Sequence, residues 1–137
     1  MLEFHDPIPD LAGKICVALL AQEYWDRGER ISAANALLLH CDDDLWHRFF
    51  IDAGVVFWRA GSAIPSVPPG DGEHQYKLTD IAASHSLIGR EIVSVRAIDL
   101  PGGGAIRLEF SGAPSVVLRD INDTSDLQFE SAATPSA

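Results

Sequence analysis

The segment "AIRLEF" at 105–110 constrains the fold most, because Ile106, Leu108 and Phe110 alternate with Arg107 and Glu109. Strict period two is what a pleated strand shows when one face packs on a core and the other meets water. Similar runs surround it. "EIVSVRAIDL" precedes it across "PGGG", "SVVLRD" follows it across "SGAP", and "DLQFE" adds a last short strand. Upstream, "LWHRFFI", "DAG" and "VVFWRA" read as two aromatic and β-branched runs around a glycine-containing connection, which is a hairpin signal. Short turns between consecutive strands make the sheet mainly antiparallel.

The N-terminal part reads differently. In "DLAGKICVALLAQEYWDR", residues 10–27, Leu11, Ile15 and Leu19 form one row at i, i+4 spacing, with Cys16, Leu20 and Tyr24 beside it. Asp10 stands where an N-cap belongs and Gly28 where a left-handed C-terminal cap belongs, so the pattern predicts one long helix. Residues 33–41, "AANALLLHC", fit either a short buried strand or another helical turn; the hairpin that follows favours the strand, with "CDDD" turning the chain after it. The Pro- and Gly-dense stretch 61–75 is a loop, and "KLTDIAASHSLIG" carries a short helix ending near Gly89. The expected fold is therefore α+β: one N-terminal helix packed on a mainly antiparallel sheet of about five to six strands. Residues 1–130 form a single domain and 131–137 a flexible tail.

With 137 residues, 47% of them hydrophobic and 22% charged, the chain has the material for one core. No apolar run approaches the ~20 residues needed to span a bilayer. The start "MLEFHDPIPD" lacks the basic stretch and cleavage site of a secretory signal, which makes the cytoplasm the expected compartment. In that reducing setting Cys16 and Cys41 are expected as buried free thiols. Twenty acidic residues against ten basic give a net charge of −10, which repels nucleic-acid phosphates and anionic membranes and favours a basic protein partner.

Chemistry-bearing residues concentrate in "LLLHCDDDLWHRFF", residues 37–50. His40, Cys41 and His47 are metal-ligand types, but His40 and Cys41 are adjacent and point to opposite faces of a strand, so they do not converge on one ion. "SHS" at 84–86 lacks the elbow of a serine nucleophile, and "PGGGA" at 101–105 lacks the Lys and Ser/Thr of a phosphate loop. No catalytic residue, metal or cofactor is expected. Candidate partner contacts are Asp42, Asp43 and Asp44, then Asp120, Asp123, Asp126 and Glu130. Trp46 and Trp58 join them because aromatics concentrate at interface hot spots.

Residues 86–130, "SLIGREIVSVRAIDLPGGGAIRLEFSGAPSVVLRDINDTSDLQFE", resemble the C-terminal meander of small acidic bacterial immunity proteins of toxin and contact-dependent inhibition systems, through the "LIGREI" entry, "IRLEFSG" and "SVVL". The resemblance implies a cytoplasmic, non-catalytic protein that binds and neutralises a cognate toxin, often a nuclease domain with a basic cleft. No catalytic residue carries over. Two other classes stand beside it: a small metal-dependent enzyme or ligand-binding protein using the His40/Cys41/His47 region, and a homo-oligomer pairing through a sheet edge or aromatic face.

Overall fold

A computed structural model describes residues 3–4 and 7–131 and shows a chain built almost wholly of strands. In order these are β1 (Glu3–Phe4), β2 (Cys16–Asp26), β3 (Glu29–Cys41), β4 (Trp46–Asp52), β5 (Val55–Gly61) and β6 (His74–Asp80). The four-residue helix α1 (Ile81–Ser84) follows, then β7 (Ile92–Leu100), β8 (Gly103–Phe110), β9 (Ser115–Ile121) and β10 (Thr124–Glu130). One sheet has six strands in the order β1-β5-β4-β3-β2-β6, antiparallel except at the β1–β5 edge. The other is a four-stranded antiparallel meander, β10-β9-β8-β7.

Three of the hairpins close through two residues that both have positive φ: Arg27 and Gly28, Ala53 and Gly54, Asn122 and Asp123. They join Asp26 to Glu29, Asp52 to Val55, and Ile121 to Thr124. Two left-handed residues in a row give a turn whose twist matches the flanking strands. At "PGGG", Gly102 supplies the positive φ of 81°. Gly103 has another role: a Cβ there would lie 1.8 Å from the Asp120 carbonyl oxygen, so only glycine lets β8 and β9 approach at that end.

The two sheets pack face to face around one core. Leu19, Leu37, Leu39, Phe49 and Ile51 line the inner side of the larger sheet and Ile106, Leu108, Phe110, Val116 and Leu118 that of the smaller. Each such side chain gains about 1.5–3 kcal/mol on leaving water. This β-sandwich replaces the expected α+β arrangement, and the predicted N-terminal helix over 10–27 does not form. Residues 16–26 are instead an interior strand, paired with β3 on one side and β6 on the other. Both of its faces are covered: Leu19 and Ala21 point into the sandwich, while Gln22 is 3% exposed on the outer side. A strand buried on both faces reads as a continuous apolar run, and a wide helical stripe has the same appearance. Asp10 does accept from a backbone N–H two residues on, that of Ala12, but this closes a turn. Gly28 has its left-handed φ of 79° in a hairpin rather than at a helix end.

β5 and β6 lie four strand spacings apart, about 19 Å, and residues 62–73 bridge them as a strap. Ile64, Pro65 and Ser66 of the strap share a cavity with Leu38, Trp46 and Arg48, which places it over the outer face of the larger sheet. Of the expected tail, 132–137 lie outside the described residues. Among the described residues no helix is long and apolar enough to cross a membrane.

Candidate functional site

The β3–β4 turn gathers most of the chemistry noted in 37–50. Cys41 ends β3 facing inward, and the chain reverses through Asp42–Leu45 with Asp44 at φ 64°. Two of the three aspartates accept from backbone N–H groups. Asp42 Oδ1 accepts from the Ile15 N–H at 3.1 Å, and Asp43 Oδ1 accepts from the Leu45 N–H at 3.0 Å. Asp43 Oδ2 lies 3.2 Å from His47 Nε2 and 3.5 Å from Lys14 Nζ. Asp44 points to solvent, 3.9 Å from His40 Nε2. His40 is on the opposite face, stacked on Trp46 with ring centroids 4.5 Å apart. Cys41, Asp43 and His47 do converge, each offering one ligand-type atom within 4.8 Å of the others, and Cys16 stands directly across from Cys41.

Protonation determines what this cluster can do. Burial, reinforced by Asp43, Cys16 and Asp42, pushes the Cys41 thiol up to about 12. Burial and Asp80 push Cys16 to about 11. Both are therefore thiols, which are poor nucleophiles and poor ligands at neutral pH. Burial works to raise the Asp43 carboxyl, but the Leu45 N–H, His47 and Lys14 outweigh it and hold the group below its ordinary value. His47 is 2% exposed and both ring nitrogens are engaged. Its Nδ1 accepts from Trp58 Nε1–H at 3.2 Å, which puts the proton on Nε2, facing Asp43. A zinc-bound histidine has the opposite arrangement: its free nitrogen carries the proton and donates it to a carboxylate or carbonyl. Indole N–H is a donor only, so ligation through Nε2 would set two donors head to head at Nδ1. The cluster is built to hold the turn on the sandwich.

Of the other acidic candidates, Asp120 and Asp123 lie at the far end, with the length of β3 between, whereas Glu130 closes β10 at the end away from that turn. Asp120 is 4% exposed and accepts from Ser125 Oγ at 2.8 Å. Asp126 is held by both Nε and Nη2 of Arg119, at 3.1 and 2.9 Å, and Glu130 pairs with Arg107. Only Asp123 at the β9–β10 turn faces solvent without such an ion pair. The acids are thus dispersed over the molecule rather than gathered on one face. Trp58 packs against the core and Trp46 lies on the outer face.

At that far end three turns meet. Ala53 and Gly54, Leu100 with Gly102 and Gly103, and Asn122 with Asp123 surround a cleft of about 440 Å³, with Asp120 also in its lining. Asp52 and Asp99 sit one residue outside it, and no lysine or arginine lines it among the described residues. Sequence reasoning named Asp120 and Asp123 but not their turn partners. The signal was present in strand parity, since the β4–β5, β7–β8 and β9–β10 hairpins all reverse at the same end.

Compared with protein-family models, curated proteins and solved structures, the chain matches none.

Proposed function

We propose that this chain is a non-catalytic binding protein whose three-turn end receives a basic protein partner, in the manner of a cytoplasmic immunity protein neutralising a toxin domain. The observation that carries the reading is the 440 Å³ cleft, lined by Asp120 and Asp123 and by no cation among the described residues. Such a cleft fits a lysine or arginine side chain, whose charge-assisted bonds to carboxylates are the stronger kind. A net charge of −10 would speed the approach of a basic partner and reject acidic ones. Turns are also where a rigid sandwich presents its variable contacts. The Cys41–Asp43–His47 cluster favours binding over catalysis, because its thiol stays protonated and its histidine is engaged on both sides.

The test uses the full chain, immobilised and exposed to an extract of its source cells, beside an Asp123→Lys variant. Asp123 is exposed and its charge reversal leaves the core untouched. The expected result is a stoichiometric basic protein that is retained by the wild type, released by rising salt, lost on Asp123→Lys, and inhibited in its own activity by the purified chain. Equal retention by both proteins, or no retained partner, overturns the reading.

A further inference from the structure

The outer face of the larger sheet carries a feature opposite in sign to the rest of the molecule. Arg48 on β4 and Arg59 on β5 are direct cross-strand partners. Like charges in that register repel. Six of the ten basic residues form ion pairs with carboxylates: Lys14, Arg27, Arg30, Arg96, Arg107 and Arg119. In a chain with twice as many acids as bases, neither Arg48 nor Arg59 has a carboxylate partner among the described residues. Arg48 has only the Phe50 ring, 5.7 Å from its guanidinium carbon, and Phe50 is itself stacked on Phe57 at 4.7 Å.

Both arginines line a cavity of about 300 Å³ with Leu38, Trp46, Ile64 and Pro65. The strap forms its far wall, and there Ile64 is 84% exposed, an apolar side chain held out beside two cations. Burial and the neighbouring Arg59 both work against the charge on Arg48, holding its pKa below the ordinary value, and the charge of a bound anion would offset them.

We propose that Arg48, Arg59 and the strap form a binding site for a small organic anion, a carboxylate or phosphate group carried on a compact apolar body. The two guanidiniums supply forked donors suited to either oxyanion. Trp46, Leu38 and Ile64 supply the apolar wall that a pocket of this size normally presents. The site lies on a different surface from the three-turn cleft and does not depend on it.

The experiment titrates the full chain with phenyl phosphate and with benzoate, following the arginine side-chain N–H signals by NMR. Benzyl alcohol serves as the neutral control and inorganic phosphate as the anion without a body. The expected result is saturable one-to-one binding of at least one aromatic anion, with the Arg48 and Arg59 signals shifting together. Arg48→Gln and Arg59→Gln would each weaken it about tenfold or more, while Arg96→Gln, remote and paired with Glu109, would leave it unchanged. Ile64→Ser would weaken the aromatic anions and spare inorganic phosphate. A preference for phenyl phosphate over benzoate assigns the group as phosphate, and the reverse assigns carboxylate. Absence of saturable binding overturns the proposal, as does binding unaffected by both arginine variants or benzyl alcohol binding as tightly as the anions. Folding of each variant is checked by its dispersed amide spectrum, and Ile64→Ser, altering an exposed strap residue, reports on the site even where an arginine variant unfolds.

Discussion

Trp58 donates its indole N–H to His47 Nδ1 at 3.2 Å, and this bond sets the tautomer of a histidine that is 2% exposed. Trp58→Phe removes the donor and leaves a buried acceptor bare, at a cost of about 1–3 kcal/mol. Urea unfolding should show a lower midpoint with an unchanged slope. The same bond predicts that the wild type, titrated with Co²⁺ at neutral pH, develops no thiolate-to-cobalt absorption band; a strong band would mean that the tautomer argument is wrong.

Cys16 and Cys41 are 0% and 1% exposed, with thiols pushed up to about 11 and about 12. Both low access and a very small thiolate fraction should make them react with Ellman's reagent at pH 8 at least about a hundredfold more slowly than a free cysteine. Unfolding in guanidinium should release two thiols per chain. Fast release of either in the folded protein would contradict its burial.

Where the strap meets β6, Asp71 accepts from the His74 and Glu73 N–H groups at 2.7 and 2.8 Å and lies 3.2 Å from His74 Nδ1. These bonds lower the Asp71 carboxyl from 3.8 to about 2, and the hydrogen bond that the His74 ring donates to Asp71 raises His74 above its ordinary 6.5. A lowered acid stabilises above its unfolded value and loses that contribution as pH falls toward the folded one; a raised histidine stabilises below 6.5 and loses its contribution as pH rises through its folded value. The anchor is therefore strongest between about pH 4 and 6.5. Amide exchange at Glu73 and His74 should be slowest there after correction for intrinsic rates, and Asp71→Asn should bring the His74 titration back toward 6.5.

Gly103→Ala places a methyl group against the Asp120 carbonyl, which is backbone and cannot rotate away. The loss should be about 3 kcal/mol or more. Gly54→Ala adds a Cβ that meets nothing within 4 Å and costs only the strain of its φ of 75°. Thermal unfolding of the two variants side by side separates these mechanisms, and equal losses would argue against close approach at Gly103.

The C-terminal meander was legible because β8 has one face inward and one outward, so Arg107 and Glu109 mark the alternation plainly. Hairpin β4–β5 was legible from its aromatic and β-branched runs around "DAG", but which face is buried was not, because aromatics stand on both: His47, Phe49 and Ile51 turn inward and Trp46, Arg48 and Phe50 outward. β2 was not, because Leu19 and Ala21 face the core while Ala18 and Leu20 on the other face are apolar and half-buried as well, so no alternation of apolar and polar residues marks the period there. At the candidate site the acids were visible as residues but their duties were not. Asp126 meets Arg119 across a hairpin, yet Asp43 meets Lys14 from a distant part of the chain. Such pairings are properties of register and packing, which composition does not carry.

The strap also has a consequence for biosynthesis. Strands β2 to β5 can zip together through successive local turns, but β6 reaches its place beside β2 only after twelve further residues have been made and have crossed the sheet. Until then the β2 edge presents unpaired backbone donors and acceptors, the kind of template on which nascent chains pair with one another. The order in which the ribosome delivers the strands therefore opens an interval of aggregation risk, which closes when β6 docks.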